Sequence, residues 1–284
     1  MPLTDIDGIR TAYEVIGSGP PLLMLSPGGF NATMTNWSSF GRYERLRMVE
    51  NLSTRFSCVI FDRRESGRSG GRLEVLGWDS YAAQAKGLLD HLGFAGSHVL
   101  GGCAGCSVGL ALARRHPAAV RSLVLFSPAG GPRYRLSQQA RFAVHLAFLA
   151  AEGPSAVVDL ARSSGASFSS DARVGPWAPV LRSDPGFAES YSRLESGVHA
   201  RIVAGSARTM FDRDTVPGAE PEELMNLQVP TLIFPGDDDS HAPSAARYLQ
   251  ECLPRQTYVE VAVEDQGEEL VRERTLSFLS QVDG

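Results

Sequence analysis

Apolar residues gather in short runs along the first half of the chain, at positions 22–25, 58–61, 98–100 and 123–126, and each run ends in turn or polar residues. Between them the apolar positions take helical spacing, notably over 81–92 and 106–115, and Pro117 stops the second of these helices. Ile6-Asp7-Gly8-Ile9 predicts a hairpin turn leading into residues 10–15, and Gly17-Ser18-Gly19-Pro20 predicts another turn. Unbroken apolar strands alternating with helices predict a parallel sheet covered on both faces. The alternation stops at Pro128-Ala129-Gly130-Gly131-Pro132. From 133 to about 226 the chain reads helical and irregular, with Phe142, Leu146 and Leu149 at helical spacing. Strand signals return at 230–234 and 257–263, and an amphipathic helix is expected over about 270–282. The expected architecture is α/β, a mostly parallel central sheet flanked by helices. Residues 1–131 and 227–284 would form the core, and 132–226 a helical cap over the carboxyl ends of the strands, where open α/β sheets bind ligands.

One strand-to-helix junction carries chemistry. Gly101-Gly102-Cys103-Ala104-Gly105-Cys106 follows a strand signal and opens a helix, with glycines two before and two after Cys103. This is the layout of a nucleophile elbow, in which small residues let strand and helix approach while the central side chain is pushed out at the helix N-terminus. A free cysteine is ordinarily a small buried hydrophobe. At an elbow, however, the helix N-terminus favours the thiolate and should hold the thiol below the usual ~8.5. Cys106 completes a C-x-x-C at a helix start, which is also the shape of a thiol redox site and stands as a minor alternative.

Composition narrows the picture further. A chain of 284 residues with 43% hydrophobic and 21% charged residues is an ordinary globular protein, long enough for a large core. Its net charge of −5 argues against nucleic acid or an anionic membrane as partner, and a small-molecule substrate is expected instead. A homodimer is left open. The N-terminus lacks a signal pattern and no apolar run looks long enough to span a bilayer, so the expected location is cytoplasmic. Four cysteines in this length are no disulfide scaffold, and Cys58 and Cys252 read as packing residues; no metal or cofactor is expected.

Four motifs in order resemble those of the α/β-hydrolase superfamily with a helical cap. Leu25-Ser26-Pro27-Gly28-Gly29-Phe30 resembles the loop after strand three that carries an oxyanion amide. Phe61-Asp62-Arg63-Arg64-Glu65-Ser66-Gly67-Arg68-Ser69 resembles the family's Asp-x-Arg-Gly-x-Gly-x-Ser turn, with Glu65 in place of a glycine. The elbow follows, and Pro230-Thr231-Leu232-Ile233-Phe234-Pro235-Gly236-Asp237-Asp238-Asp239 resembles the strand leading to the catalytic acid. The resemblance implies Cys103 as nucleophile, Asp239 as acid with Asp238 as the alternative, and the Phe30 and Ala104 amides as the oxyanion hole.

The family's base departs from the pattern. It follows the last strand, whereas here Glu264-Asp265-Gln266-Gly267-Glu268 stands there and no histidine occurs after position 241. His91, His98 and His116 fall at element ends remote from the expected cleft, and His145 and His199 fall in the cap. His241, two residues after Asp239, is the candidate base, with Glu264 or Asp265 as substitutes and a rate expected to rise near the usual His value of ~6.5. The sequence therefore predicts an enzyme using a Cys nucleophile on a small activated acyl substrate such as a lactone, thioester or ester. Its alternatives are an acyltransferase, cyclase or lyase on the same fold, and a ligand-binding protein whose catalysis has decayed.

Overall fold

The computed structural model describes residues 1–283. Eight strands form one sheet in the order β1-β2-β4-β3-β5-β6-β7-β8. They are β1 (Leu3–Ile6), β2 (Ile9–Ile16), β3 (Pro21–Leu25), β4 (Ser57–Phe61), β5 (Ser97–Gly102), β6 (Val120–Phe126), β7 (Thr231–Phe234) and β8 (Gln256–Tyr258). The hairpin β1–β2 pairs antiparallel to the rest, and β4, β3, β5, β6, β7 and β8 run parallel. Every residue of β5 and β7 is buried, as strands covered on both faces require. Helix Trp78–His91 packs on helix Gly105–Arg115, and helix Glu268–Asp283 packs on Met48–Leu52.

Strand order places β5 centrally, between β3 and β6. The loops after β3, β5, β6 and β7 therefore converge at one carboxyl edge, and the chain's chemistry lies in those loops. No strand occurs between β6 and β7; that insertion is helical, led by the helix Pro132–Ser164. By length and composition this 33-residue helix could cross a membrane, contrary to the sequence reading. It is broken at Gly153 (φ 81) before Pro154, and Phe142, Leu149, Val157 and Ala161 along it are buried in protein. The last strand is shorter than expected: pairing ends at Tyr258, and residues 263–265 make a 3-10 turn instead.

Candidate active site

The elbow is a sterically forced turn. Cys103 has φ 53, which a non-glycine residue adopts only under constraint. A side chain at Gly101 would meet the Gly105 oxygen at 2.6 Å, and one at Gly105 would meet the Leu25 oxygen at 2.1 Å. Glycines at both positions thus let β5, β3 and the elbow helix close on one another. The turn is pinned by hydrogen bonds from Cys103 N–H to the Phe126 oxygen (3.1 Å) and from Cys106 N–H to the Cys103 oxygen (3.1 Å).

The loop after β7 brings His241 to this point. Gly130 N–H donates to the Ser240 oxygen (3.0 Å) and Ala242 N–H to the Gly130 oxygen (3.3 Å), which ties that loop to the one after β6. Gly236 leaves room for it, since a Cβ there would lie 2.4 Å from the His241 Cβ. His241 Nδ1 sits 2.8 and 2.9 Å from the two Asp238 carboxylate oxygens. Its Nε2 is buried without a nitrogen or oxygen partner, which leaves it to the Cys103 sulfur.

Asp238 and His241 are built as one unit. Asp238 Oδ1 also accepts from the N–H groups of Ser240 (2.8 Å) and His241 (3.1 Å), so acid and imidazole are fixed by the same turn. The structure parts from the expected acid here. Asp239 faces outward, 77% exposed, and pairs with Arg133 on the cap helix at 2.5 Å, while Asp238 holds the imidazole. Spacing after the family glycine assumes an acid reaching a histidine on another loop. When both residues share one loop, a three-residue separation brings them together.

Electrostatics favour an ion pair at this site. Burial pushes the Cys103 thiol up, but His241 and the N–H groups of Gly28 and Ala104 outweigh it and leave the thiol below its ordinary value. Burial pushes His241 down, yet the neighbouring Cys103 and Asp238 raise it to about 9. The two shifts together describe a thiolate beside an imidazolium. For Asp238, burial pulls upward and the hydrogen bond and charge of His241 win, holding the carboxyl below its usual range.

The amides that favour the Cys103 thiolate are those of Gly28, on the loop after β3, and Ala104. Phe30, two residues further, lines the cleft and packs its ring edge-to-face on Phe142 and Phe168 at 5.5 and 5.3 Å. Asn36 shapes the loop by donating to the Pro27 and Asn31 oxygens, each at 2.7 Å. A cavity of about 240 Å³ opens over Cys103 and His241, lined by the loop 28–31, by Tyr134 and Arg141 of the cap helix and by Phe168. That is below the ~300–1,000 Å³ of drug-sized sites, so it fits a small acyl group.

Other candidates fall elsewhere. Glu264 and Asp265 are exposed on the 3-10 turn, and their neighbour Gln266 fills the place after the last strand. Gln266 donates to the Pro235 and Val261 oxygens (3.3 and 3.1 Å) and accepts from Arg42 (3.2 Å), so the buried residue of that loop is a brace, and its two carboxylates stay exposed. His98 is buried against Ser122 and Asp283, and His91 lies on the surface near Thr4. His145 and His199 are buried within the cap. The Cys106 thiol donates to the Gly101 oxygen at 3.1 Å, and burial and the Cys103 charge push its pKa well up, the reverse of a redox thiol. Among the described residues no His, Cys, Asp and Glu cluster could hold a metal ion. Sequence reasoning missed Gly28; the pair of left-handed glycines at 28 and 29 (φ 116 and 55) was its signal.

The chain belongs to the α/β hydrolase fold family, whose model matches residues 21–265. A protein of Azorhizobium caulinodans named for carbamate hydrolysis, RutD, is 27% identical over 282 residues, 95% of each chain. A 2-hydroxymuconate semialdehyde hydrolase of Pseudomonas sp. strain CF600 is 34% identical over 124 residues, covering 43% of this chain and 41% of that one. Among solved structures, the enol-lactonase of Burkholderia xenovorans LB400 superposes with a TM-score of 0.63 at 19% identity, covering 98% of this chain and 100% of the other.

Proposed function

We propose that this hydrolase-fold protein cleaves small activated esters, lactones or related acyl compounds through a thioester on Cys103, with His241 as acid and base and Asp238 as its partner. The Cys103–His241–Asp238 line carries this reading. The thiolate attacks the acyl carbon, forming the C–S bond while the carbonyl electron pair moves onto oxygen. That oxyanion takes its hydrogen bonds from the N–H groups of Gly28 and Ala104, the same two that favour the thiolate in the resting site. As the intermediate collapses, His241 gives its Nε2 proton to the departing oxygen. The now neutral imidazole takes a proton from water, water attacks the thioester, and the thiolate leaves to restore the ion pair. The names of the relatives, a carbamate hydrolase and an enol-lactonase, fit the same class of small activated carbonyl.

Incubation with 4-nitrophenyl acetate tests this directly. Nitrophenol release with an acetyl group on Cys103 by peptide mass spectrometry is expected, and both should vanish in a folded Cys103→Ala variant. Turnover surviving in that variant would overturn the reading.

A further inference from the structure

The cavity above Cys103 contains one fixed charge that the mechanism leaves unused. Arg141 of the cap helix lines it, and no aspartate or glutamate does. The thiolate and imidazolium cancel, and in the acyl-enzyme the imidazole is neutral, so in both states Arg141 is the unbalanced charge among the residues lining the cavity. Neighbouring cap arginines are satisfied, Arg133 by Asp239 and Arg135 by Asp214, each at 2.5 Å. Arg141 is half-buried, and among the described residues it has neither an ion pair nor a hydrogen bond. A half-buried guanidinium turned into a cleft without a partner forgoes interactions that a ligand can supply.

Tyr134 lines the same cavity, and Arg63 is a second buried arginine with unfilled hydrogen-bond capacity. Arg63 is buried with its Nε and one Nη lacking hydrogen-bond partners, its guanidinium stacked 4.3 Å from the Tyr81 ring centre. Tyr134 lines the cavity together with Cys103 and Arg141. Burial keeps its phenol protonated and so a hydrogen-bond donor. Phe30 and Phe168, packed edge-to-face, supply the apolar part of the cavity lining.

We propose that the acyl group accepted by Cys103 carries a carboxylate, bound by the Arg141 guanidinium while its chain lies along Phe30 and Phe168. The substrates are then half-esters of short dicarboxylic acids, or small lactones whose ring carries a carboxylate arm. This rests on the thioester reading above. The test compares 4-nitrophenyl hydrogen adipate with the neutral 4-nitrophenyl hexanoate, in the parent and in Arg141→Gln and Arg141→Lys. A charge-assisted pair predicts that the parent favours the anionic ester about tenfold or more in kcat/KM, with the preference shrinking as salt is added. The ratio should fall to about one in Arg141→Gln, through KM, and recover in part in Arg141→Lys. A parent ratio near one, or a ratio unchanged in Arg141→Gln, overturns the carboxylate assignment alone. Failure of both esters to acylate Cys103 overturns the thioester reading, and this inference with it.

Discussion

Cys103 is held in a backbone conformation that costs energy and faces an imidazole that is itself held, so its chemistry is set before any substrate arrives. Because the thiol is lowered and His241 raised to about 9, the active pair exists between the two titrations. The kcat/KM profile should rise below the ordinary thiol range as Cys103 ionises and fall near pH 9 as His241 loses the proton owed to the leaving group. This replaces the rise near the ordinary histidine value that the sequence suggested. Cys103→Ser gives a sharp check. With no thiolate to hold its proton, His241 should return toward its ordinary range, and the residual rate, about 10²–10⁴-fold lower, should rise through it. A serine variant that kept the parent's profile would contradict the ion pair. Asp238 is 64% exposed on its side chain, so its charge is partly screened. Asp238→Asn should cost about ten- to a hundredfold, less than the ~10⁴ of a buried triad aspartate, and Asp239→Asn next to nothing. Equal losses in the two would remove the distinction between them.

At the scale of elements, the elbow and the strand-plus-turn signals were legible because glycine spacing and unbroken apolar runs have few other physical readings. Prediction lost accuracy where a choice depended on tertiary contact. Nothing local in three consecutive aspartates says which one folds back onto the Ser240 and His241 amides. Likewise β8 ends early because the edge of the sheet offers one neighbour only, and Gln266 and Arg42 take over the bracing. The histidine missing from the last loop is compensated in the preceding one. Gly236 makes that possible, and its replacement is informative: the Cβ of Gly236→Ala would lie 2.4 Å from that of His241 and 3.0 Å from its carbonyl oxygen. The backbone carrying His241 must shift, so acylation of Cys103 should slow about tenfold or more with little change in melting temperature. A variant as fast as the parent would show that the loop tolerates the shift and that its fit to Gly236 is not what aims the ring.

For the molecule as a whole, buried histidines set the answer to acid, and burial lowers His98 in the sheet as it lowers two in the cap. The cap buries two uncharged histidines: His145 bonds to the Arg173 oxygen at 2.8 Å, and His199 lies 4.0 Å from the Tyr191 ring centre with neither ring nitrogen partnered. Burial drives both to about 4, helped for His199 by the charge that His145 would carry. Their folded-state values lie below the unfolded ~6.5, so between about 6.5 and 4 the unfolded chain binds protons that the folded cap refuses. Stability is therefore full above that window and drains away as pH falls through it. Thermal unfolding should show a melting temperature several degrees lower at pH 5 than at pH 7.5. His199→Phe keeps a ring against Tyr191 and Trp177 while removing two unpartnered nitrogens, each of a kind that costs about 1–3 kcal/mol when buried. This variant should melt higher than the parent at pH 5 and lose measurably less between the two conditions. If its loss equals the parent's, the acid sensitivity belongs to groups outside the cap.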